Sequence, residues 1–104
     1  MTEFQQMGER NRAIRGYILR LLVKGVRFSM PVRRISDMLQ RDGYVIEADI
    51  ATYLDYLYEL NFIKFLKPNS TPSNAYMLDG AISLTSKGIR FIEDGGTSEL
   101  GIEL

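Results

Sequence analysis

LDYLYELNFI, residues 54–63, decides the architecture. Leu54, Leu57 and Tyr58 recur at the spacing that stacks side chains on one side of a helix. Asn61 breaks that period with a side chain that tolerates left-handed backbone, and Phe62 to Lys67 continues in strand formers. A second phrase, ISLTSKGI at residues 82–89, closes the unit. It passes from strand formers through Thr85, a residue suited to cap a helix, into a segment from Ser86 to about Glu93 with Ile89 and Ile92 facing inward. Between the two phrases lies Pro68-Asn69-Ser70-Thr71-Pro72-Ser73-Asn74, too polar and too rich in proline for anything but a loop.

Upstream, Ile14, Tyr17, Ile18 and Leu21 line a helix expected from Glu9 to Lys24, with Gly25 as its stop and residues 1–8 as a loose lead-in. Leu19 and Val23 point away from that stripe, so a partner is expected to cover them. Arg27, Phe28 and Ser29 read as a short extended bridge, and Pro31 suits the first turn of a second helix ending near Arg41. Val32, Ile35, Met38 and Leu39 form its buried stripe, and Asp42-Gly43 ends it. A third helix is expected from Glu47 to Leu60, with Ile50, Tyr53, Leu54, Leu57 and Tyr58 inward. Ala75 to Leu84 reads as a return strand, within which Asp79-Gly80 is either a hairpin turn or a bulge, the bulge being favoured. Gly95-Gly96 ends the last helix, giving a domain over residues 9–94 and a flexible tail over 95–104.

The 104 residues, 45% hydrophobic, suit one domain with a single core. Cysteine and histidine are both absent, which removes thiolate chemistry and the commonest general base and metal ligand. No phosphate loop, no nucleophile with a base and no metal-ligand spacing occurs, so neither an enzyme nor a cofactor is expected. The longest apolar stretch, Tyr17 to Val23, is interrupted by Arg20, and a cytoplasmic protein without a membrane span is expected. Thirteen basic and thirteen acidic side chains cancel, yet residues 1–45 hold nine basic against four acidic, and residues 46–104 the reverse. Such segregation marks an interaction surface or merely aids solubility.

The order helix, bridge, helix, turn, helix, hairpin with a polar tip and closing helix resembles the winged helix-turn-helix superfamily. The phrases at 54–63 and 82–89 look like its recognition helix entering the first wing strand and its wing returning to the closing helix. They are similar to those of small single-domain bacterial and phage-type proteins of this α+β fold. The resemblance covers residues 10–94 and implies a DNA-binding module for transcription regulation, or an accessory one, that reads the major groove with exposed residues of the third helix. Carried across, those residues are Glu47, Ala48, Ala51, Thr52, Asp55, Tyr56 and Glu59. None of them donates to guanine, and carboxylates repel phosphate.

The basic candidates for holding double-stranded DNA are Arg12, Arg15, Arg27, Arg33, Arg34, Lys64 and Lys67. The alternative is a protein-protein interaction or assembly module whose acidic third helix faces a basic partner through Asp55, Tyr56 and Glu59. Asp55 and Glu59, four apart, repel each other mildly unless a cation faces them. Glu47 and Asp49 suit a first helical turn, and Tyr56 is expected to be the one exposed tyrosine of the helix. Leu19, Val23 and the apolar tail together lead to the expectation of a homodimer.

Overall fold

The computed structural model describes residues 2–104. Helix α1 spans Glu3–Lys24 and begins well before the expected Glu9. Its start is fixed by a reciprocal cap: the Gln5 N–H donates to Thr2 Oγ1 at 3.2 Å while the Thr2 N–H donates to Gln5 Oε1 at 2.8 Å. The segment expected to be a loose lead-in is therefore mostly the opening of a 22-residue helix. Arg27 and Phe28, expected to be extended, instead take φ of 54° and 59° and turn the chain back. Ser29–Pro31 follows as strand β1, and Pro31 stands directly before helix α2, Val32–Arg41. Val32, Ile35 and Leu39 are buried as expected, with Met38 packed against the core.

The third helix, α3, is shorter than expected and spans Ala51–Glu59. Two side chains hold its lead-in out of helical form. Ser36, itself buried, donates its hydroxyl to the Ala48 carbonyl at 2.7 Å, and Asp49 Oδ1 accepts the Ala51 N–H at 2.9 Å. Glu47 and Asp49 thus precede α3 instead of occupying its first turn. Asn61 takes the expected left-handed φ, 62°, and leads into strand β2, Ile63–Phe65.

The return strand β3 spans only Ala81–Leu84. Residues 71–79, part of which was expected to be strand, coil through successive turns, with the Ala75 N–H donating to the Thr71 carbonyl and the Leu78 N–H to the Asn74 carbonyl, each at 3.0 Å. Asp79-Gly80 is neither a two-residue hairpin turn nor a strand bulge. Asp79 takes φ 54° and ends the coiled run just before β3. Thr85 accepts the Gly88 N–H at 3.0 Å and caps helix α4, Ser86–Glu93, within the expected bounds.

The strands pair antiparallel in the order β1-β3-β2, and the row Met30, Ile82, Phe65 crosses all three. Together the described residues form an α+β fold of four α-helices and one small sheet. Ile14, Ile18 and Leu22 of α1 share its core with Ile35, Leu39, Leu54, Leu57, Phe62 and Ile82. Burying each such side chain contributes about 1.5–3 kcal/mol, which is why the helical stripes dominate the packing. Among the described residues no helix is long and apolar enough to cross a membrane.

Candidate functional site

The tail, expected to hang free, is docked between α1 and α3. A single 3-10 turn at Ser98–Leu100 brings Ile102 into the core at 2% exposure. Three hydrogen bonds hold this path. Tyr56 Oη donates to the Leu100 carbonyl at 2.7 Å, Arg15 Nη1 to the Gly101 carbonyl at 3.0 Å, and the Glu103 N–H to the Arg12 carbonyl at 3.1 Å. The Arg15 guanidinium also lies 3.6 Å from the centre of the Tyr56 ring, a cation-π stack, and its Nε is buried without a partner. Gly16 makes the approach feasible, since a Cβ there would stand within bonding distance of the Glu103 carbonyl oxygen.

The structure revises several site expectations. Leu19 is not a partner surface; it is fully buried within the molecule's own core, whereas Val23 remains 42% exposed. Tyr56 is half-buried under the tail, and Tyr58, assigned to the inward stripe, is the exposed one at 47%. Arg15 is half-buried in the tail contact, and Arg12, also half-buried, meets the tail through its backbone carbonyl. Of the apolar surface that led to the expectation of a homodimer, Leu19 and Ile102 of the tail are buried within one chain, and Val23 is left exposed.

The remaining basic candidates fall into two groups. Arg33 Nε donates to the Tyr76 carbonyl at 2.8 Å and pairs with Asp79 at 3.1 Å, the single ion pair among the described residues. Lys67 Nζ donates to the Leu78 carbonyl at 3.1 Å. Both therefore brace the loop between β2 and β3. Arg27, Arg34 and Lys64 are exposed and make no side-chain hydrogen bond or ion pair among the described residues. Arg10, a further basic side chain of α1, donates from Nε and Nη2 to the Tyr44 carbonyl at 3.2 and 2.8 Å.

On α3, Asp55 and Glu59 are exposed, and neither has a cation within ion-pair distance among the described residues. Asp55 and Thr52 border a groove whose other wall is Pro72 and Ser73 of the loop. The loop carries no Lys or Arg from Pro68 to Leu78. Among the described residues no group of three His, Cys, Asp or Glu is placed to hold a metal ion. Within α1, the Tyr17 hydroxyl is hydrogen-bonded to Asp42 and its ring lies 4.6 Å from that of Tyr44. Burial first, then the bond and charge of Asp42, push the Tyr17 pKa up to about 12.

Two hollows lie toward opposite ends of α1 and differ in charge. One, lined by Met7, Arg10, Val45, Ile46, Glu47 and Asp49 among others, carries two carboxylates, while its Arg10 is engaged by Tyr44. The other is lined by Lys24, Val26, Met30, Pro31 and Arg34 among others, and carries cations alone. Comparison with known protein families, with curated proteins and with solved structures matches none of them to this chain.

Proposed function

We propose that this chain is a non-catalytic assembly module of winged-helix type, which engages protein partners through its charged surfaces and does not read DNA with its third helix. The helix order, the β1-β3-β2 sheet and the loop between β2 and β3 support the winged-helix reading. The carrying observation is the solvent face of α3. Asp55 and Glu59 lie there without a cation in ion-pair reach among the described residues, beside a stretch of loop, Pro68 to Leu78, that carries no Lys or Arg. A duplex approaching by this route would meet carboxylates at distances too short for salt to screen, and the helix itself offers no Lys or Arg to hold a phosphate.

Fluorescence anisotropy with varied duplexes at about 50 mM salt tests the reading. The expected outcome is no saturable binding, either by the wild type or by Asp55→Asn with Glu59→Gln. Duplex binding that weakens with salt would overturn it, and the variants would then locate the DNA. Tightening in the α3 double variant would put DNA at that helix. Loss of binding, with a smaller salt slope, in Arg27→Ala with Arg34→Ala would put it on the exposed arginines before and within α2.

A further inference from the structure

We infer that the partner on which the assembly reading rests is a second copy of this chain, the acidic hollow at one end of α1 seating on the basic hollow of the next molecule. Ile46 and Val26 are the two most exposed large hydrophobic side chains among the described residues, at 92% and 80%. Each sits in the lining of one hollow. A branched aliphatic side chain held almost wholly in water gains free energy by burial against another apolar surface, and here each is ringed by charge. Ile46 is followed by Glu47, with Asp49 nearby; Val26 is flanked by Lys24 and Arg34. The two surfaces are thus complementary in both respects, apolar centre to apolar centre and a net negative lining, Glu47 and Asp49 against Arg10, to the cations Lys24 and Arg34.

Size and position agree with this pairing. Both hollows are open to solvent, with room for about 330 Å³ in the basic one and about 260 Å³ in the acidic one. The Ile46 side chain can enter the basic hollow beside Met30 and Pro31 while Glu47 meets Lys24 and Arg34. Lining residues Arg10 and Lys24 are separated along α1 by about 21 Å at 1.5 Å per residue, so one molecule offers both surfaces at once. Because the surfaces differ, the contact is heterologous: the acidic end of one copy meets the basic end of another, and the chain grows or closes into a ring. The segregation of charge between the two parts of the sequence supplies the complementarity.

Sedimentation and light scattering on the purified full chain at high micromolar concentration test the pairing. The expected mass exceeds the monomer's 11.9 kDa at low salt and falls toward it as salt rises. Ile46→Ser with Glu47→Lys spoils one surface, and Lys24→Glu with Arg34→Glu the other. Each variant alone is expected to associate at least about tenfold more weakly. Mixed, they retain one intact pair of surfaces and regain a one-to-one dimer. Circular dichroism checks folding, and the single changes Glu47→Lys and Arg34→Glu, weak alone and associated when mixed, repeat the test with less perturbation. A wild type that stays monomeric, or folded variants that stay apart when mixed, overturns the pairing. A monomer that binds no duplex removes the self-pairing and leaves the assembly reading for a foreign partner, whereas salt-dependent duplex binding removes that reading whatever the mass.

Discussion

Tyr17 carries the clearest pH-dependent interaction at the scale of a residue. Its hydroxyl is bonded to Asp42, and its pKa rises from 10.0 to about 12. A raised native pKa means that the folded state keeps a proton which the unfolded state releases, so this contribution to stability is complete below pH 10 and is lost as the pH climbs toward 12. Tyr17→Phe has nothing to titrate. It is expected to cost about 0.5–1.5 kcal/mol near neutral pH through the lost hydrogen bond, and to lose less further stability than the wild type between about pH 9 and about pH 11 in urea unfolding. Equal losses in both proteins over that interval would show that the Tyr17 proton is not linked to folding. Other residues were legible from the sequence, Asn61 and Thr85 among them, because their roles are set by their own backbone geometry. Tyr56 and Tyr58 were not. Which of the two faces inward depends on the tail that Tyr56 holds, and nothing local to α3 announces it.

Helix α4 was readable at both ends because a cap and two glycines in left-handed conformation, φ 82° and 70°, carry their own signals. The starts of α1 and α3 needed more. The Thr2-x-x-Gln5 capping box stands in a segment without clear apolar periodicity, and the delay of α3 to Ala51 depends on Ser36, a residue of another helix. The tail was hardest, since alternating Leu100, Ile102 and Leu104 tell that a segment is apolar and not what it docks on. Its docking can be tested at Gly16. In a helix interior Gly→Ala is favourable by about 1 kcal/mol, but here the new methyl would collide with the Glu103 carbonyl. A collision of this kind costs about 1–3 kcal/mol, so Gly16→Ala is expected to be neutral or destabilising in the full chain. In a chain ending at Gly96 the same change should stabilise by about 1 kcal/mol, while the truncation itself costs at least about 2 kcal/mol through loss of buried Ile102. Denaturant midpoints of the four proteins decide the matter. A gain from Gly16→Ala that is the same with and without the tail would mean the segment does not pack on α1.

At the scale of the molecule, the coarse α+β architecture was legible from apolar periodicity, and the excess of charge in each part of the chain could be counted directly. What counting could not tell is whether folding mixes the charges or keeps them apart. Folding draws Arg10, Arg15, Arg33 and Lys67 onto the chain's own carbonyls, and leaves Lys24 and Arg34 on one hollow with Glu47 and Asp49 on another. A protein of zero net charge whose signs are finely mixed presents no field to a charged resin, whereas one with separated patches presents each patch in turn. This chain is therefore expected to be retained at neutral pH and low salt on both cation and anion exchangers. Lys24→Glu with Arg34→Glu should abolish most of the retention on the cation exchanger and leave the other column's retention in place. Glu47→Gln with Asp49→Asn should do the opposite. Passage of the wild type unretained through both columns would show that folding intermixes the charges, and the electrostatic ground for any docking surface on this molecule would go with it.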